Sequence, residues 1–234
     1  MENKKIAAFF DIDGTIFRDS LMVAHFMKLQ DFQIIDDSKW HTQVHLSREA
    51  YKKRRLDYDT YLESISSAYE ESLKGISYSD VMFAARHVIQ NRPAEVYKFT
   101  MGIGISGSPD CLVRQMAKVW KADVYRGSTY VFSRGIFTGK IIPMWDSVSK
   151  QNAINELVNI YDIDMKHSYA YGDTNGDISM MMSVGHPYAI NPAKELIENI
   201  RNDEMLRKKV QIIVERKDVI YKVDPDVDIT EEKL

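Results

Sequence analysis

Residues 6–15 read Ile6-Ala7-Ala8-Phe9-Phe10-Asp11-Ile12-Asp13-Gly14-Thr15. Five apolar residues in a row, cut off by an aspartate, are the pattern of a short strand buried on both faces of a helix-covered sheet. In open α/β sheets the ligand site forms beyond the carboxyl ends of the strands. Two carboxylates placed there are costly unless a cation or a proton offsets them. The decapeptide therefore predicts a central strand with a polar site at its end.

Working outward, candidate strands fall at residues 102–105, 168–171 and 211–215. Candidate helices lie at 109–121, 149–160, 177–184 and 192–202. Strands alternating with helices predict an α/β fold with a doubly wound parallel sheet. Residues 129–132 and 136–141, with Ser133-Arg134-Gly135 between them, predict a β-hairpin.

Residues 19–92 are different. Leu62, Ile65, Tyr69 and Leu73 recur at helical spacing, as do Val81, Ala85, Val88 and Ile89. Pro93 marks a return boundary. The expected organisation is a core of residues 1–18 and 93–234 with an inserted helical cap domain, residues 19–92, between the first two core strands.

Bulk properties narrow the function classes. A chain of 234 residues buries one good core and leaves room for a second small module. With 44% apolar and 28% charged residues it reads as an ordinary globular protein. A net charge of −3 gives no electrostatic case for nucleic acid or an anionic membrane. No apolar run approaches the roughly 20 residues of a membrane span, and residues 6–10 are too few for a signal-peptide core. The single Cys111 excludes an internal disulfide and fits a reducing, cytoplasmic setting. Nothing in the sequence sets the oligomeric state.

A second acidic turn, Gly172-Asp173-Thr174-Asn175-Gly176-Asp177, follows residues 168–171. Alone it could be a helix N-cap built on Asp177. Paired with the first acidic turn at another strand end, it forms a candidate Mg²⁺ site, since Mg²⁺ takes a few oxygens plus waters. A calcium loop needs Gly at its sixth position and Glu at its twelfth. Counting from Asp11 those are Ile16 and Met22, and from Asp173 they are Ile178 and Val184, so that pattern fails twice.

Between the acidic turns lie Ile105-Ser106-Gly107-Ser108 and Lys150. Ser106 is expected to end a strand ahead of a helix, where hydroxyl and N–H groups can hold phosphate oxygens. Lys150 falls in the first turn of a helix, against the macrodipole preference for acids there.

The order of these signals resembles the haloacid dehalogenase-like (HAD) superfamily. The phosphoserine-phosphatase-like branch (subfamily IB), whose helical cap follows the first motif, is the nearest likeness. The resemblance runs from Ile6 to about Asn191 and includes a Gly185-His186-Pro187 turn. It implies Asp11 as a nucleophile that forms an aspartyl-phosphate and Asp13 as general acid and base. It implies Mg²⁺ held by the Asp11 carboxylate, the Asp13 backbone carbonyl and Asp173. Ser106, Gly107 and Lys150 would clamp the phosphoryl oxygens, with Asp177 and Thr15 behind the ligands.

The resemblance also has departures. Phosphoserine phosphatases place a Glu where this chain has Ser20, beside Asp19, and a cap arginine where it has Leu62-Glu63-Ser64-Ile65. A small phosphate ester other than phosphoserine is therefore the expected substrate. Residues 93–106 are few for the helix and strand that the family sets ahead of the serine. Three readings stand: a Mg²⁺-dependent phosphatase, a phosphotransferase using the same intermediate, and a catalytically weak phosphate- or metal-binding protein. The run Tyr51-Lys52-Lys53-Arg54-Arg55 is expected to be a solvated helix face, and Met180–Met182 core packing. Trp40, His41 and His45 could line a cap pocket or fill the cap core.

Overall fold

The strand expected at residues 6–10 is β1, Ala8–Phe10, and it lies inside the sheet. The structure, a computed structural model, describes residues 4–17, 19–36, 38, 44–53, 55–90, 103–216 and 218–229. Among the described residues β1 is followed by α1 (Leu21–Asp31), α2 (His45–Lys52), α3 (Tyr58–Leu73) and α4 (Tyr78–Gln90). Then follow β2 (Ile103–Pro109), α5 (Asp110–Trp120), β3 (Tyr125–Ser133), β4 (Ile136–Ile142) and α6 (Ser147–Tyr161). The chain continues through β5 (Tyr169–Gly172), α7 (Ile178–Ser183), β6 (His186–Ile190), α8 (Lys194–Asn202) and α9 (Glu204–Lys209). It finishes with β7 (Gln211–Arg216) and β8 (Val219–Val223).

Among the described residues the sheet has eight strands in the order β4-β3-β2-β1-β5-β6-β7-β8. β1 pairs in parallel with β2 on one side and β5 on the other, Phe9 lying opposite Ile103 and Ala170. The chain thus builds outward in one direction through β2 and β3, and in the other through β5, β6 and β7. Asp11 leaves β1 at that switch of direction, and its amide donates to the Tyr171 carbonyl at 2.8 Å. The two acidic turns are neighbours because their strands are.

Alternation sorts the strand side chains. Phe9, Ile105 and Ala170 pack with Ile154 and Leu157 of α6 and Met180 of α7. Farther along, Ala189 and Ile212 pack with Leu196, Ile200 and Leu206 of α8 and α9. On the opposite face Phe10, Tyr171 and Tyr188 stack in a row, with ring centroids 4.3 and 5.0 Å apart. Met180 and Met181 are core residues, whereas Met182 is exposed. Cys111 is buried, and burial pushes its thiol pKa up to about 12, so it behaves as a small apolar residue.

Some boundaries differ from expectation, β3 for one beginning at Tyr125, four residues ahead of the expected hairpin strand. β2 runs through Ser106 to Pro109 instead of ending at the serine. Gly185-His186-Pro187 is the entry to a strand, β6, and not an isolated turn. Pro93, Gly102, Trp40, His41 and Arg54, and the connection 91–102, lie outside the described residues. His45 is exposed, as are Tyr51, Lys52, Lys53 and Arg55.

The contacts divide the chain into two units. One comprises Met1–Ser20, Ala94–Thr129 and Pro143–Val227; the other comprises Leu21–Pro93, Tyr130–Ile142 and Asp228–Leu234. The second is built around Phe26, Ile65, Tyr69, Leu73, Val81, Ala85 and Val88, all buried. The hairpin ring of Tyr130 meets Tyr69 edge-on at 5.9 Å, which groups the hairpin with these helices. Arg134 and Gly135 at its tip both have positive φ, the two-residue turn that matches strand twist.

Candidate active site

Every site residue expected from the sequence belongs to the α/β unit. Asp11 and Asp13 sit just past β1, in a turn closed by the Gly14 amide donating to the Phe17 carbonyl at 2.7 Å. Gly14 has φ +84°, and a Cβ there would collide with the Asp173 carboxylate. Thr15 is fully buried and donates its hydroxyl to Asp173 Oδ1 at 3.0 Å.

Lys150 comes from α6, whose N-terminus is capped by Asp146 accepting from the Ser149 amide. The buried ammonium donates to Asp11 Oδ1 at 2.6 Å and to Asp177 Oδ1 at 2.5 Å. Asp177 is fully buried, and its other oxygen accepts from the Asp173 and Thr174 amides at 3.1 and 3.2 Å. That second oxygen tightens the turn after β5, while Gly172 leaves space for the Asp177 side chain. The second Asp11 carboxylate oxygen has no hydrogen bond among the described residues.

Asp13 faces a different set of groups. Its Oδ2 accepts from the Ser106 hydroxyl at 2.8 Å and from the Ser108 hydroxyl at 2.7 Å. Ser106 Oγ in turn accepts from the Ser108 amide at 3.0 Å. β2 loses register with β3 between Ile105 and Pro109, and the Ser128 hydroxyl holds the Gly107 carbonyl there at 2.7 Å. Ser108 and Ser128 are the residues that sequence reasoning missed. For Ser108 a signal existed: side chains two apart on a strand share a face, so Ser106 and Ser108 act together.

Burial dominates the electrostatics. It raises the Asp11 pKa well above the usual carboxylate range; Lys150 pulls it back, while Asp177 and Asp13 push it up. Burial also raises Asp173, with the Asp11 and Asp177 charges adding and the Thr15 hydroxyl opposing. For Lys150 burial disfavours the ammonium, but the charges of Asp11 and Asp177 outweigh it and hold the pKa above its ordinary value.

Asp11, Asp173 and Asp177 offer carboxylate oxygens within 4.8 Å of one another. Three buried carboxylates against one ammonium leave two negative charges uncompensated, which an oxygen-seeking divalent cation matches. The donor set fits such an ion.

Residues 8–182 match the haloacid dehalogenase-like hydrolase family. A probable phosphatase of Mycobacterium tuberculosis is 28% identical over 92 residues, which are 39% of this chain and 32% of that protein. The inhibition of morphological differentiation protein of Streptomyces azureus is 39% identical over 62 residues, 26% of this chain and 22% of that protein. The matched stretches thus span about a fifth to a third of these curated relatives. Among solved structures, a protein of unknown function from Bordetella pertussis Tohama I has a TM-score of 0.66 at 16% identity, covering 89% of this chain and 98% of that one. A phospho-aspartyl intermediate analogue of phosphoserine phosphatase has a TM-score of 0.56 at 18% identity, covering 92% and 96%. With the family match spanning most of the chain and the acidic turns meeting at the sheet switch point, this chain belongs to the haloacid dehalogenase-like hydrolases.

Proposed function

We propose that this protein is a phosphatase that hydrolyses a small phosphate monoester, with Asp11 as nucleophile. The observation that carries the reading is the Lys150 ammonium on one oxygen of Asp11, which leaves the other oxygen to attack phosphorus. The probable phosphatase among the partial relatives agrees with it. The new bond joins Asp11 to phosphorus as the ester P–O bond breaks, and the departing oxygen takes a proton from Asp13. Asp13 then accepts a proton from the water that releases phosphate. Ser106 and Ser108 hold Asp13 in place for both transfers.

Asp11, Asp173 and the Asp13 backbone carbonyl would hold Mg²⁺, which supplies the positive charge that lets a carboxylate approach a phosphate dianion. Both oxygens of Asp177 are engaged, so its role is to orient Lys150 and shape the turn. Lys150, with the Ser106-Gly107 stretch, stabilises the transferring phosphoryl oxygens. Residues 19–92 serve as the inserted cap whose side chains select the ester.

The test is a panel of phosphate esters with Mg²⁺, run on the wild type and Asp11→Asn. We expect turnover by the wild type with release of inorganic phosphate, a poor rate on phosphoserine, and loss of most activity in the variant. Phosphate passed to an added alcohol instead of water would make the enzyme a phosphotransferase. Equal rates for the two proteins would sink the mechanism.

A further inference from the structure

Trp145 is anchored by its backbone, and the residue is exposed. A Cβ at Gly107 would stand 2.8 Å from Trp145 Cβ, and a Cβ at Gly176 would stand 2.7 Å from the Trp145 carbonyl oxygen. Two glycines thus clear the way for one backbone segment. The neighbouring Met144 amide donates to Ser128 Oγ at 3.0 Å, the same hydroxyl that holds the Gly107 carbonyl. On the other side Asp146 caps the helix that carries Lys150. All this packing uses the backbone and Cβ of Trp145, which almost any residue supplies. The side chain is open on one side: Trp145 is 43% exposed, and its indole makes no hydrogen bond or ring contact among the described residues.

Its position gives the exposed ring a use. Gly107 lies between Ser106 and Ser108, whose hydroxyls touch Asp13. Gly176 lies in the turn that carries Asp173 and Asp177. The indole is therefore rooted where the two loops bearing the site's polar groups come together. An isolated surface aromatic needs no explanation, but one held at the meeting point of these loops does.

We propose that Trp145 is a specificity-determining residue, its indole the stacking surface for a flat aromatic or heteroaromatic group on the alcohol part of the substrate. The inference rests on the phosphatase reading and narrows its substrate class to esters whose leaving group carries such a ring. Offset or edge-on ring contacts favour a flat partner over an aliphatic one of similar size.

The experiment compares the wild type, Trp145→Phe and Trp145→Ala with two pairs of probes. Phenyl phosphate and glycerol 2-phosphate report kcat/KM. Phenylphosphonate and methylphosphonate, which are not hydrolysed, report affinity by calorimetry with Mg²⁺ present. We expect the aromatic-to-aliphatic ratio to fall roughly tenfold in Trp145→Ala in both measurements, chiefly through KM, and to recover in Trp145→Phe. An unchanged ratio overturns the proposal. So does an equal loss for both members of a pair, which would mean that the tryptophan only supports the loops. The phosphonate ratio is read whether or not any ester turns over, so loss of the phosphatase reading is seen separately. A wild type that binds neither phosphonate also overturns it.

Discussion

Gly14 and Asp173 approach so closely that position 14 has no room for a side chain. The backbone there is also left-handed, a region costly for any residue with a Cβ. Gly14→Ala should force Asp173 away from its Thr15 bond and so spoil the proposed metal ligand set. The expected result is a folded protein, lower in stability by about 1 kcal/mol or more, whose melting temperature no longer rises with Mg²⁺. Thermal melts with and without the ion check this.

Lys150 bridges two buried carboxylates, so removing it leaves both without their cation. Breaking a buried pair from one side costs about 3–5 kcal/mol. Lys150→Met should lose that much in denaturant unfolding without metal, and lose activity at least a hundredfold. Adding Asp177→Asn should restore part of the stability and none of the activity. Recovery of both together would contradict the separate roles given to Asp11 and Asp177.

Metal and pH are linked through Asp11 and Asp173. Their folded pKa values are raised, chiefly by burial, so the metal-free fold binds more protons than the unfolded chain. Its stability therefore falls as pH rises above the ordinary carboxylate range. A cation competes for the same oxygens and releases those protons. Mg²⁺ at about a hundred times its dissociation constant should add about 2.7 kcal/mol, with a larger increment at pH 7.5 than at pH 5. Calorimetry in buffers of different ionisation enthalpy should register proton release at neutral pH.

His25 is buried in the helical unit, its Nε2 3.0 Å from the Val81 carbonyl and its Nδ1 2.6 Å from the Tyr69 hydroxyl. One tautomer satisfies both: Nε2–H donates to Val81 and Nδ1 accepts from Tyr69. Burial holds its pKa down to about 4, against the pull of the Val81 bond, while the unfolded value is 6.5. The unfolded chain takes up the proton first, so this contribution is intact above pH 6.5 and drains away as pH falls towards 4. The loss is of order 3 kcal/mol. The difference between wild-type and His25→Gln unfolding curves, measured from pH 7.5 to 4.5, should show it.

The catalytic half of the molecule was legible because its chemistry sits at element ends, where short motifs are local. Asp11, Asp13, Asp173 and Asp177 each follow a strand whose apolar run is readable on its own. β6 was not legible: Pro187 is its second residue, and a proline argues against an interior strand. Nor was β8, whose residues are mostly exposed and carry no burial pattern. Ser108 shares a face with Ser106 through the period of two, so its place beside Asp13 is implicit in the Ser106-Gly107-Ser108 stretch. The grouping of the hairpin with the helices depends on Tyr130 meeting Tyr69, a contact between residues far apart in sequence, which no local pattern encodes.

That last contact bears on how such enzymes can be recombined. The helical unit is drawn from three separate stretches, 21–93, 130–142 and 228–234, and β3 crosses from one unit to the other between Thr129 and Tyr130. Tyr78 meets Phe132 edge-on at 5.1 Å, and the Phe137 amide donates to the Ile76 carbonyl at 3.1 Å. A graft that exchanged residues 21–93 alone would give the newcomer a foreign hairpin, taking Tyr69 from Tyr130 and Tyr78 from Phe132 and leaving both with Phe137 of the hairpin itself among the described ring contacts. The transferable module is a discontinuous one, helices and hairpin together, and a ribosome must have delivered residue 142 before it can close.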